Sequence, residues 1–154
     1  MELTQGKRVT ATGRTSVWIT LTVMADRAFP VIFAAQVDTS ATFYEGLGFQ
    51  RHFQLPPEGE PGYFGLRRGT FEVGVVSADW PQQQYGARPG TGVRFELFVY
   101  VEDVDGLVDA LRGRGTPVLR EPADMPWGER VAYVADPDGN PVGLARGPEA
   151  SDSP

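Results

Sequence analysis

Glu96 and Glu72 each interrupt an apolar run, Val93 to Val101 and Thr70 to Ser77. In the first run Val93, Phe95, Leu97, Val99 and Val101 share one face, while Arg94, Glu96, Phe98 and Tyr100 share the other. A carboxylate held beside aromatic rings is desolvated, which raises its pKa unless it is paired; it then suits proton transfer or the attraction of a cationic group. Trp80 and Trp127 lie in Pro- and Gly-containing segments rather than at periodic core positions. An indole there can stack on a planar or cationic ligand, at ~0.5–2 kcal/mol per cation–π contact. Arg130, on the strand after Trp127, offers a guanidinium fork for a ligand carboxylate or for Glu96. Structural alternatives stay open at each position. Glu96 can pair with Arg94 or Arg130 or be solvated, Glu72 rests on a less secure strand register, and the tryptophans can cap the core or a dimer interface. The single histidine, His52, reads as a surface strand residue.

Other chemistries drop out by composition. One histidine permits no Ser-His-Asp reading, and the absence of cysteine removes disulfides, zinc-thiolate sites, iron–sulfur clusters and thiol nucleophiles. Gly46-Leu47-Gly48 follows a helix and precedes a strand, so it is a helix stop and not a dinucleotide fingerprint. Fourteen Lys and Arg against 20 Asp and Glu leave a net charge of −6, which disfavours nucleic acid and anionic membranes as partners. With 154 residues, 41% apolar and 22% charged, the chain fits one globular domain. No apolar run approaches the ~20 residues of a membrane helix. Ser16 to Ala25 follows Lys7, Arg8 and Arg14 as a signal peptide would, but Thr20 and Thr22 interrupt it. The expectation is an N-terminal extension over 1–28, with Met24 an alternative start, and a cytoplasmic address.

The elements that must position these side chains are short. Pro30–Val37 reads as a strand, and Ser40–Leu47 as a helix capped by Asp38 or Thr39. Strands follow at Phe49–Leu55, Tyr63–Arg67 and Thr70–Ser77, and residues 79–92 read as a linker. The strand Val93–Val101 leads to a helix from Val104, with Val104, Leu107, Val108 and Leu111 on one face and Asp103 as N-cap. Strands at Pro117–Arg120, Glu129–Ala135 and Pro141–Arg146 complete it. The last two are joined by Asp136-Pro137-Asp138-Gly139-Asn140, a turn in which Gly139 supplies positive φ. A shift of 67 residues carries Gln36 onto Asp103, Tyr44 onto Leu111, Gly46 onto Gly113 and Gly48 onto Gly115. Two βαβββ modules, 29–78 and 93–146, therefore form a curved mixed α+β sheet around a cleft, followed by a disordered tail over 147–154.

That pattern resembles the vicinal oxygen chelate superfamily, which includes glyoxalase I, bleomycin-resistance proteins and extradiol dioxygenases. The residues that carry the resemblance are Pro30-Val31-Ile32, Phe43-Tyr44 with Gly46-Leu47-Gly48-Phe49, Val101-Glu102-Asp103-Val104-Asp105, Pro126-Trp127-Gly128 with Arg130, and the Asp136–Pro141 turn. The resemblance implies a divalent metal held by two side chains per module. The matching positions here are Phe29, Glu72, Glu96 and Gly143. A phenyl ring and a glycine cannot ligate, and two carboxylates alone rarely make a transition-metal site. The implied function is metal-independent, cofactor-free binding of a small cationic or aromatic molecule, in the manner of drug-sequestering bleomycin-resistance proteins. Phe29, Phe33, Glu72, Glu96, Phe98, Tyr100, Trp127 and Arg130 would line the site of a homodimer that shares or exchanges modules. Two alternatives are a lyase, isomerase or dioxygenase-like enzyme using Glu72 and Glu96 with a metal or as acid and base, and an interaction module with no ligand.

Overall fold

The computed structural model describes residues 28–148. Nearly all of the expected N-terminal extension and most of the expected tail lie outside the described residues. The elements are β1 (Val31–Ala34), α1 (Val37–Glu45), β2 (Gln50–Leu55), β3 (Tyr63–Arg68), β4 (Phe71–Ser77), α2 (Trp80–Tyr85), β5 (Leu97–Tyr100), α3 (Val104–Gly113), β6 (Val118–Asp124), β7 (Arg130–Ala135) and β8 (Pro141–Arg146). With α2 set aside, each half runs β-α-β-β-β.

The halves form two four-stranded mixed sheets, ordered β1-β4-β3-β2 and β5-β8-β7-β6. In each, the first strand lies parallel to the last, a pairing that needs a crossover and receives α1 or α3 within it. Val31 stands opposite Gly74, and Phe98 opposite Gly143. The repeat is therefore real, with an offset of 67 residues at the first strand and 69 at the last.

Three expectations shift. Helix α1 starts at Val37, with Gln36 in the N-cap position and no side-chain cap bond. Val37 is buried, so its packing sets the start, and Asp38 instead accepts from Arg51 at 2.7 Å. The segment read as a linker contains α2, with Pro81 in its first turn. Strand β5 is confined to Leu97–Tyr100 because its ladder partner is β8 alone, paired from Val142 to Ala145. Helix α3 matches its reading, with the Asp103 side chain accepting from the Gly106 N–H at 3.0 Å.

One buried cluster spans the helix-facing sides of both sheets: Ile32, Leu66, Val73 and Val75 with Ala41 and Tyr44 from the first half, and Val99, Val134, Val142 and Leu144 with Val104, Val108 and Leu111 from the second. The Asp136–Asn140 turn locks the halves together. The Tyr44 hydroxyl donates to Asp136 at 2.7 Å. Asp138 accepts from the Ser40 hydroxyl and from the Ala35 N–H, each at 2.8 Å. Asp136, Asn140, Ser40 and Tyr44 are all buried, so the turn is an inter-module clasp as well as a hairpin.

Candidate functional site

Alternation assigns the two faces of each sheet. On β4, Val73 and Val75 enter the helix-side core, leaving Glu72, Gly74 and Val76 on the open face. Across β3 these stand opposite Arg67, Gly65 and Tyr63. The open face of the first half carries a cavity of about 660 Å³, walled by Phe29, Val31, Phe53, Tyr63, Val76 and Trp80 among others. Among the described residues no charged side chain lines it. Phe33 lies on the same face by alternation but is not a wall residue.

The open face of the second half has different chemistry. Phe98 packs edge-on against Tyr100 at 5.7 Å and against Tyr133 at 6.4 Å between ring centroids. Glu129 accepts from the Tyr100 hydroxyl at 2.5 Å and from the Trp127 indole N–H at 2.9 Å, fixing both rings with one carboxylate. Those two bonds hold the Glu129 carboxyl below its ordinary range. Glu96 precedes β5 and is exposed. Burial, and then the neighbouring Glu96 carboxylate, push the Tyr133 phenol up. The result is an aromatic surface bordered by two carboxylates, with Trp127 64% exposed.

The metal-ligand positions implied by the resemblance do not survive in this geometry. Since Val31 pairs with Gly74 as Phe98 pairs with Gly143, the corner assigned to Glu72 belongs to Gly74. Both β-strand corners are thus glycine, and both are roofed by rings. A Cβ on Gly74 would lie 2.9 Å from the Tyr63 hydroxyl, and one on Gly143 would lie 2.7 Å from Phe98 Cε2. Phe29, Gly74, Glu96 and Gly143 offer one donor among four, so the residues present do not fit a superfamily metal.

One further expectation is corrected. Arg130 alternates with Ala132 and Val134 onto the helix side, where its guanidinium holds Asp105 of α3 at 2.5 and 2.6 Å and Asp124 at 3.0 Å. It is neither a ligand residue on the open face nor a partner of Glu96. His52 is exposed on β2, as the sequence reading has it; it sits at a bulge there, and its Nε2 lies 3.3 Å from the buried Glu72 carboxylate. The structure therefore brings Phe98, Tyr100, Trp127 and Glu96 onto the second half's face, and Phe29 and Trp80 onto the first. Tyr63, Glu129 and Tyr133 were missed. Period-two alternation along β7 pairs Tyr133 with Val131 opposite Ala132 and Val134, a signal that would have found it.

A model of the Glyoxalase/Bleomycin resistance protein/Dioxygenase superfamily matches residues 24–144. The bleomycin resistance protein of Klebsiella pneumoniae is 27% identical over 126 residues, covering 75% of this chain and 88% of that one. A glyoxylase candidate of Mycobacterium tuberculosis is 28% identical over 102 residues, 66% of this chain, and the chain spans only 36% of that relative's length. In structure, a glyoxalase-related enzyme from Fulvimarina pelagi superposes with a TM-score of 0.67 at 24% identity, over 85% of this chain and 96% of its own. A superfamily enzyme from Burkholderia phytofirmans gives 0.66 at 22% identity, over 77% and 95%. These likenesses carry the fold. The two-module architecture and the match over residues 24–144 together establish that the chain belongs to the glyoxalase/bleomycin resistance/dioxygenase superfamily.

Proposed function

We propose that the protein binds a small aromatic, cationic molecule without a metal, in a cleft formed when two copies pair and set the first module of one against the second module of the other. The observation that carries this reading is the pair of ring-roofed glycine corners, Gly74 under Tyr63 and Gly143 under Phe98. Chelating positions have become apolar floor. The apolar cavity suits a planar body, and Glu96 with Glu129 beside Phe98, Tyr100 and Trp127 suits a cationic group. Pairing is supported by the exposed aromatic face of the second half and by a cavity that, among the described residues, is walled by the first half and α2. A bleomycin resistance protein among the relatives is in keeping with small-molecule binding.

Calorimetry and thermal shift against cationic glycopeptide and planar aromatic antibiotics test the reading. Binding at one ligand per chain, weakened in Glu96→Gln and Glu129→Gln, is the expected result. Tight stoichiometric binding of nickel, zinc, manganese or iron through Glu72 and Glu96 would overturn it in favour of a metal enzyme. A ligand panel without a single stabilising compound would overturn it in favour of an interaction module.

A further inference from the structure

A second concavity lies away from the apolar cavity, at the end of the first sheet where β2, β3 and the turns before β2 and after β3 meet. It has a volume of about 420 Å³, and its walls include Gln50, Arg51, His52, Arg67 and Arg68. Among the described residues no carboxylate lines it, on a chain of net charge −6. The cations have different commitments. Arg51 is held by Asp38 at 2.7 Å and Glu45 at 3.1 Å and lies over the Phe64 ring, so it shapes the wall. Arg68 gives one Nη2 bond to the Tyr100 carbonyl at 2.7 Å and, as the next residue after Arg67 on β3, reaches this end of the sheet from the opposite face. Among the described residues the half-exposed Arg67 makes no side-chain hydrogen bond, and its nearest carboxylate oxygen, on Glu72, is 3.9 Å away. His52 is oriented from behind by the same carboxylate at 3.3 Å. Gly48 makes room for this arrangement. Its φ of +91° excludes most side chains, and a Cβ there would lie 3.2 Å from Arg68 Nε.

We propose that this groove is an anion site that takes the carboxylate or phosphate group of a small molecule between Arg67, Arg68 and His52. Among the described residues, an arginine with no side-chain hydrogen bond, a second arginine with donors beyond its one carbonyl bond and an oriented imidazole line one concavity, and these are the groups that recognise a compact oxyanion. The competing explanation is that these charges only protect β2, the outer strand of its sheet, from pairing with another chain.

The two are separated by NMR titration of the full-length protein with inorganic phosphate, and in a second arm with acetate, at ionic strength held constant with chloride. The signals read are the arginine Nε–H groups and the His52 ring. Saturable shifts confined to Arg67, Arg68 and His52 are the expected result. Saturation in the phosphate arm alone assigns a phosphate ligand, and saturation in both assigns oxyanions generally. Arg67→Gln should weaken binding about tenfold or more, the loss of one charged contact. His52→Gln should weaken it less, and Arg88→Gln, outside the groove, should leave it unchanged. Shifts that rise linearly and match those of chloride, or an Arg67→Gln chain that titrates like Arg88→Gln, would overturn the site. None of these outcomes depends on the apolar cleft or on pairing.

Discussion

Tyr44→Phe removes one oxygen atom from the clasp between the modules and little else. The Tyr44 hydroxyl is buried and donates to Asp136 Oδ2 at 2.7 Å. Asp136 is 3% exposed and also accepts from the Asp138 and Asn140 N–H groups and from the Asn140 side chain. The substitution leaves the ring in place against Phe43 and Phe49, with centroids at 5.1 and 6.0 Å, so the packing loss is small. What is lost is one hydrogen bond to a buried charge, about 1.5–3 kcal/mol. For a domain of this size that lowers the melting temperature by about 4–10 °C. Burial, and then the Asp136 charge, raise the Tyr44 phenol above its ordinary range. A raised phenol contributes stability that is fully present below the ordinary tyrosine pKa, about 10, and is lost as pH climbs above it. The variant should therefore be less stable at neutral pH and also lose part of the alkaline slope. Urea unfolding followed by far-ultraviolet circular dichroism and by tryptophan emission measures both. The two probes should move together, because the bond joins α1 of one half to the β7–β8 turn of the other. A loss under about 0.5 kcal/mol, within the range of ordinary surface substitutions, would refute the clasp.

Three further outcomes follow from the site. Gly143→Ala forces the Phe98 ring off the strand corner, so it should lower stability by about 1–3 kcal/mol and weaken binding of the aromatic ligand, as calorimetry will read. Arg130→Ala breaks the bonds to Asp105 and Asp124 on the helix side; a melt should show a loss of stability while ligand affinity stays at the parent value. Glu129 has a depressed pKa, so the order that it imposes on Tyr100 and Trp127 is complete above the ordinary glutamate range and disappears as pH falls through its lowered value. Trp127 emission should change across that acid interval in the parent chain and stay flat in Glu129→Gln.

The fold was legible because its punctuation is local. The α3 stripe of Val104, Val108 and Leu111, the Asp103 cap and the alternation around Leu97 and Val99 each encode an element without outside help. The site was legible where it lay on such an element, as with Phe98 and Tyr100. It failed where facing depended on partners distant in sequence. Arg130 follows Trp127 closely, yet β7 turns it toward Asp105, 25 residues away, and nothing in the local spacing records that. The Glu72 register failed by two residues for the same reason: only the β1–β4 ladder, across more than 40 residues of chain, identifies Gly74 as the counterpart of Gly143. His52 reached Glu72 through a bulge, which breaks the alternation that a strand reading relies on.

The clasp and the cleft constrain each other. Because the helix-facing sides of both sheets share one core, each half keeps its open face for something outside that core. The two faces are chemically unequal: the first carries a hollow with no charged wall among the described residues, the second is an aromatic surface edged by Glu96 and Glu129. A twofold pair can set unlike faces against each other twice, giving two equal clefts, each with an apolar wall and an acidic aromatic one. Under the proposed pairing a chain with a damaged first face, Val31→Arg, and a chain with a damaged second face, Phe98→Arg, are each inactive alone. Mixed, they form pairs in which one cleft holds both damaged walls and the other holds neither. Ligand binding should then return in the mixture to about half of one site per two chains for random assortment. A protein that completes its cleft within one chain cannot be rescued in this way, so recovery on mixing separates the two arrangements without any need to see the ligand.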